Sequence, residues 1–159
     1  MIRESRLRHL LDTAERHTRG GRNARAVTFY RKVLALARDG EFERELAHVR
    51  LGDLHLSLGQ AESAALHLRR ALTLSGGEPE YALMLGHALL RLDRVEEALS
   101  HLHDALQSPV RAAEALAGLA RGLDALGDRQ GAATLARLAV ERRPDDLEFR
   151  ALARDLADA

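Results

Sequence analysis

The sequence predicts an all-α protein built from repeated helical hairpins, and three observations carry that prediction. Hydrophobic residues make up 46% of the 159 positions and aromatic ones only 3%, so small aliphatic side chains must form the core, as in closely packed helices. The apolar residues recur at helical spacing with no alternating stretch. The chain also repeats itself: Leu51-Gly52, Leu85-Gly86 and Leu119-Ala120 align without gaps at an offset of 34 residues. The same offset relates Ala64, Ala98 and Ala132, then Leu68, Leu102 and Ala136, then Ala71, Ala105 and Ala139. An earlier copy, carrying Ala26, Tyr30 and Val33, is displaced by 38, with the extra four residues in Arg38-Asp39-Gly40-Glu41. A fixed period of this length marks a stacked-repeat architecture.

Each unit reads as two helices separated by a short break. Leu46, Leu51, Leu54 and Leu58 fit one helix and Ala64, Leu68, Ala71 and Leu72 its neighbour. The breaks are Gly20-Gly21, Gly59-Gln60, Asp93-Arg94 and Gly127-Asp128, where glycine adopts the left-handed conformation that ends a helix. The expected helices cover 3–18, 22–38, 42–58, 61–74, 79–92, 95–107, 111–126, 129–142 and 145–157. Gly52 and Gly86 let one backbone approach the next, with Ala64, Ala98 and Ala132 doing so from the second helix. A larger residue there overpacks the contact, at about 1–3 kcal/mol. The ninth helix follows Pro144 and reads as a lid on the last layer. Phe149, Leu152, Ala153 and Leu156 form its apolar stripe, with Glu148, Arg150, Asp155 and Asp158 off it. Asp145 and Asp146 stand at its start, where carboxylates meet free N–H groups.

Length and composition fix the class. A chain of this size forms one domain that hides roughly two-thirds of its unfolded surface. There is no cysteine, which excludes disulfides, thiolate metal sites and cysteine catalysis. No run of about 18 uncharged apolar residues is present, so no membrane span is expected. The first seventeen residues hold no apolar stretch of signal-peptide length, and a cytoplasmic protein is the expectation. Net charge is zero but uneven: residues 1–50 hold 12 Arg/Lys against 7 Asp/Glu, and residues 51–110 hold 4 against 8.

Taken together, the Leu-Gly pairs, the recurring alanines and the 34-residue period resemble the tetratricopeptide repeat family. That family's pattern runs Trp-x2-Leu-Gly-x2-Tyr, then Ala-x3-Phe, with a late Pro. The resemblance covers residues 7–146. Here His48, Ala82 and Leu116 stand at the Trp position, while His17, His55, Leu89 and Leu123 stand at the Tyr position. Pro144 keeps the late proline. The resemblance implies a right-handed α-solenoid of four hairpins (about 7–44, 45–78, 79–112 and 113–146) with a capping helix at 145–157, all one repeat domain.

Family members line a concave face with the second, fifth, ninth and twelfth residues of each unit. On this chain those are Arg8, Leu11, Glu15 and Thr18; Leu46, Val49, Asp53 and Leu56; Glu80, Leu83, His87 and Leu90; and Glu114, Ala117, Arg121 and Asp124. The Lys and Asn with which some members grip a terminal carboxylate are absent from the fifth and ninth places, so that grip is not expected. What the resemblance implies is a protein-binding groove of Leu11, Leu46, Val49, Asp53, Leu56, Glu80, Leu83, His87, Leu90, Ala117 and Arg121. Apolar residues would supply affinity there, and Asp53, Glu80, His87 and Arg121 would set register. The alternative is that the stripe is shielded by the repeat array itself or by a second copy.

Other chemistry finds little support in the spacings. Among the eight histidines, His101 and His103 diverge on a helix. His48 and His55 are two turns apart, and His67 and His101 recur in adjacent units. Packing in place of aromatic residues accounts for His17, His48 and His55 better than a metal does. No phosphate loop, nucleophile elbow or HExxH motif is present, and neither enzyme activity nor a cofactor is expected. Residues 1–38 carry ten basic and three acidic side chains, without the exposed aromatics or recognised motif that usually accompany such charge on nucleic-acid surfaces. Nucleic acid is therefore not the expected partner. The function expected is an adaptor or scaffold holding an amphipathic helix or extended peptide. A small secretion-type chaperone, self-assembly into a homo-oligomer, and, less expected, a nucleic-acid or anionic-surface binder working through the first hairpin are the alternatives.

Overall fold

The computed structural model describes residues 2–157. Among them are nine helices and no strand: α1 (Ile2–Arg19), α2 (Asn23–Leu36), α3 (Phe42–Ser57), α4 (Ala61–Ser75), α5 (Pro79–Leu90), α6 (Val95–Ala105), α7 (Ala112–Ala125), α8 (Arg129–Arg142) and α9 (Leu147–Ala157). Every boundary lies within two residues of the sequence expectation. The largest differences have local causes. Ala37 turns to an extended conformation and stops α2 early. Asp146 serves as the cap of α9, its Oδ1 accepting from the backbone N–H groups of Glu148 (3.0 Å) and Phe149 (3.2 Å), so α9 starts one residue later. Asp145 is fully exposed beside Arg150 and takes no part in that cap. Leu58, the last residue of the apolar pattern expected for this helix, falls just past the end of α3 and is 42% exposed.

The chain forms two compact units, Met1–Gly77 and Glu78–Ala159. In the first, α1 packs on α2, α2 on α3 and α3 on α4, and the two leading helices α1 and α3 also touch. In the second, each of α5 to α8 packs on its successor, and α7 touches both α5 and α9.

The four hairpin turns share one hydrogen-bond pattern. Arg22, Gln60, Arg94 and Asp128 donate their N–H groups to the carbonyls of His17, His55, Leu89 and Leu123, five residues back. The preceding residue in each turn has positive φ: Gly21, Gly59, Asp93 (58°) and Gly127. These are Schellman caps, which satisfy the free carbonyls at a helix end.

Glycine sets the spacing within the middle hairpins. A methyl group on Gly52 would lie 2.6 Å from Leu68 Cγ, and one on Gly86 2.5 Å from Leu102 Cγ. Leu68 and Leu102 thus occupy the space that the missing side chains leave. The sequence reading gave that contact to the alanines. Ala64, Ala98 and Ala132 are indeed fully buried, but the atoms nearest the glycines belong to leucine, with the Ala98 carbonyl oxygen next at Gly86. In the second unit Leu102 is also wedged against Gly118, and Leu99 against Gly122. The helix α9 closes that unit: Phe149 is buried with Ala113, Leu116, Ala117 and Ala139, and Leu156 with Ala120, Ala132 and Ala136. Leu152 and Ala153 pack at its edge, as expected of the stripe; Asp158 lies outside the described residues.

Candidate functional site

In the first unit, α1, α2 and α3 frame a cleft of about 270 Å³ lined by Glu15, Thr18, Arg19, Tyr30, Arg50 and Asp53. Tyr30 is 1% exposed, and its ring belongs to the core. Its hydroxyl reaches the cleft, 3.5 Å from Thr18 Oγ1. Thr18 already donates to the Ala14 carbonyl at 3.1 Å, so the phenol donates toward Thr18 across a long, weak contact. The hydroxyl has no other hydrogen-bond partner among the described residues. Burial raises the Tyr30 pKa, against a lowering by the Thr18 contact, and the phenol remains a donor at neutral pH. Arg50 Nη2 lies 3.7 Å from Glu15 Oε1 in a half-solvated pair, a geometry that binds weakly. Among the described residues neither Arg19 nor Asp53 has an ion-pair partner. The cleft therefore offers one free charge of each sign over a buried phenol.

The expected groove residues of this unit divide by position. Leu11 is 8% and Val49 9% exposed, and Leu11 is part of the core cluster. Leu46 packs half-buried against that cluster, Leu56 is half-buried, and Asp53 is exposed. In the second unit the same division holds. Leu83 (5%) and Ala117 (0%) are buried, His87 and Leu90 are half-buried, and Glu80 and Arg121 are exposed. The fifth residue of all four units is thus interior, and the surface is formed by the second, ninth and twelfth.

Ion pairing further changes what the second unit presents. Glu80 accepts from Arg111 Nη2 at 2.7 Å, Arg111 reaches Glu114 at 3.2 Å, and Arg143 meets Glu114 at 2.8 Å. The hydrogen bond that Arg111 donates to Glu80 raises the Arg111 pKa. Glu80 is thereby engaged inside the chain, whereas Arg121 has no ion-pair partner among the described residues. His87 is held neutral, its pKa lowered mainly by burial and then by Arg121. Leu90 packs beside Gly122, 3.6 Å from where a methyl group on that residue would sit.

Sequence reasoning did not place Arg19, Tyr30 or Arg50 at the site. The signal for Tyr30 was present: it is one of two tyrosines and stands where the next units have Leu68 and Leu102.

The histidines gather in a way the spacing did not suggest. His48 and His55 of α3 both meet His67 of α4. His48 Nδ1 and His67 Nδ1 are 3.0 Å apart, and the His55 and His67 rings stack with centroids 5.6 Å apart. His17 instead stacks on Phe29 at 5.3 Å. Among the described residues no group of three or more His, Asp or Glu side chains is placed to hold a metal ion, and no helix is long and apolar enough to cross a membrane.

Comparison with known proteins agrees with this architecture. A tetratricopeptide repeat family model matches residues 11–79 and 83–146. Among solved structures, a MamA RS-1 double mutant aligns with TM-score 0.85 at 16% identity, covering 94% of this chain and 82% of that one. PilF of Pseudomonas aeruginosa aligns with TM-score 0.80 at 18% identity, covering 98% and 69%. The Arabidopsis OM64 TPR domain aligns with TM-score 0.67 at 18% identity, covering 72% and 94%. No curated protein matches in sequence. At these identities the structures show a shared fold, and with the family model matching most of its length, the chain belongs to the tetratricopeptide repeat family.

Proposed function

We propose that the protein is a binding adaptor that holds a peptide or helix of another protein against the leading-helix face of its first unit. The observation that carries this reading is the cleft in which Arg19 and Asp53 are unpaired above the buried Tyr30 hydroxyl. Unpaired charges of both signs at a concave, partly desolvated surface suit a partner with complementary charges in fixed order. The half-buried Leu46 and Leu56, on the same helix as Arg50 and Asp53, add apolar contact. Recognition on this reading is more polar than an apolar stripe would make it, because Leu11 and Val49 are interior. Membership in a family whose repeats typically scaffold protein interactions supports a binding role in place of catalysis.

The test is affinity capture from native lysate with the wild-type chain and with a variant carrying Asp53→Arg and Leu56→Glu. Both positions are at least partly exposed, so the melting temperature should scarcely move. The expected result is a partner retained by the wild type and lost by the variant. Capture that is unchanged in a folded variant removes this face from the reading.

A further inference from the structure

The three histidines of the α3–α4 hairpin form a cluster with no carboxylate among the groups that act on it. His48 is 8% and His55 5% exposed, and His67 is half-buried between them. The Nδ1 atoms of His48 and His67 face each other at 3.0 Å, with ring centroids 5.2 Å apart. A bridge of this kind requires one N–H donor and one bare nitrogen. The pair can hold one extra proton on an outward nitrogen, but two would set N–H against N–H. His55 Nδ1 donates to Gln60 Oε1 at 2.6 Å, and its Nε2 is buried without a partner among the described residues. A proton on that nitrogen would be a buried, unsatisfied donor.

Among the described residues, the charged side chains other than histidine that shift His48 and His67 are all positive: Arg31 from α2, Arg44 from α3 and Arg70 from α4. Asp39 shares a solvent-filled cleft with His48, Arg44, Arg70 and Thr73, but is already paired with Arg44 Nε at 2.9 Å. Arg44 is further fixed by the Leu34 and Ala37 carbonyls. That cleft gives water, and hence protons, a route to His48.

We propose that the α3–α4 hairpin is an acid-operated catch: closed while the cluster holds at most one extra proton, and loosened when further protons separate His48 from His67. Burial, then the neighbouring histidines and Arg31, lowers the His67 pKa to about 4, and burial with Arg44 and Arg70 lowers that of His48. The sign follows from linkage. A histidine with a depressed folded pKa stays neutral while the opened chain takes up a proton. Its neutral form therefore costs nothing above the ordinary value near 6.5, and stability falls as pH drops from there toward the folded pKa. His67 alone shifts the folding equilibrium by about 30-fold between pH 7.5 and pH 5. Because α3 also carries Arg50 and Asp53, loosening it disturbs the cleft beside it. That consequence rests on the binding role proposed above, whereas the catch does not.

The experiment is a pair of measurements on the full chain. Histidine ring signals are followed by NMR from pH 8 to pH 4, and urea unfolding is compared at pH 7.5 and pH 5 for wild type and His67→Leu. The expected results are a His67 ring titrating well below 6.5 and a folding constant that falls at least tenfold further in wild type than in the variant. Carboxylate titrations common to both chains cancel in that comparison. Ordinary titration of the His48 and His67 rings with α3 and α4 intact overturns the proposal, as does an equal pH dependence in the two chains. If His67→Leu does not fold, the ring titration of the wild type decides alone. Partner capture at the two pH values is scored separately, so loss of the binding role leaves the catch to stand or fall on the titration.

Discussion

Replacing Gly86 by alanine adds one methyl group at a point where the structure has no room for it. The new carbon would lie 2.5 Å from Leu102 Cγ, 2.8 Å from Leu102 Cδ2 and 3.4 Å from the Ala98 carbonyl oxygen. Leu102 cannot swing aside freely, since it is itself buried and pressed against Gly118 on α7. Overpacking of this kind costs about 1–3 kcal/mol, and the better helix propensity of alanine returns about 0.5–1 kcal/mol. The net loss expected is about 0–2.5 kcal/mol. Leu102→Ala alone opens a cavity and should cost about 2–5 kcal/mol. Combined, the two changes place a methyl group where leucine atoms were. The double variant should then be more stable than the sum of the single losses by about 1 kcal/mol or more. Urea unfolding followed by far-UV circular dichroism on all four chains measures this coupling. Losses that add within about 0.5 kcal/mol would mean the residues act independently, and the proposed contact between α5 and α6 would be refuted.

Two further outcomes are expected. Asp93 is the one non-glycine residue with positive φ among the described residues, so Asp93→Gly should stabilise the chain by up to about 1 kcal/mol, read as a higher urea midpoint; no gain would mean the carboxylate has a compensating role in that turn. Phe149→Ala removes the largest side chain that α9 buries against α7 and α8 and should cost about 3 kcal/mol, and a melting curve like wild type would show that α9 is an appendage.

Much of this fold could be read from residue spacing because each unit punctuates itself. Gly20-Gly21, Gly59-Gln60 and Gly127-Asp128 mark turns through glycine, and Asp93-Arg94 was found through the period even without one. The helix α9, which matches no earlier helix, was legible from Pro144 and from the apolar stripe of Phe149, Leu152, Ala153 and Leu156. Burial was harder to read. In stacked hairpins a leading helix has neighbours on two sides, so an apolar residue on it belongs equally well to a core or to an open surface. Leu11, Val49, Leu83 and Ala117 were assigned to the groove through family positions, and all four are interior. The next helical neighbours at the ninth place (Glu15, Asp53, His87 and Arg121) are polar, which is the better sequence mark of where water begins. The histidine cluster escaped notice for a different reason. Comparison at the repeat offset pairs equivalent residues of successive units, such as His67 with His101, whereas His67 meets His48 and His55 across its own hairpin.

Within each hairpin, the residue at the glycine position and the one sixteen places later are chosen together: Ala14 with Tyr30, Gly52 with Leu68, Gly86 with Leu102, and Ala120 with Ala136. The two middle pairs set no side chain against a leucine; the last sets two methyl groups against each other. All eight residues are buried, so the four pairs show three ways to fill the space where two helices touch, which fits the dense packing of protein interiors. The first pair differs in kind, since a phenol ring fills its share and cannot end there without burying a hydroxyl at a cost. That hydroxyl comes out between Thr18 and the charged residues of the cleft. The polar floor of the candidate site is thus the far end of a packing residue. Tyr30→Phe separates the two roles: the ring still fills the hairpin, stability should fall by no more than about 1 kcal/mol, and whatever the hydroxyl contributes to binding is lost by itself.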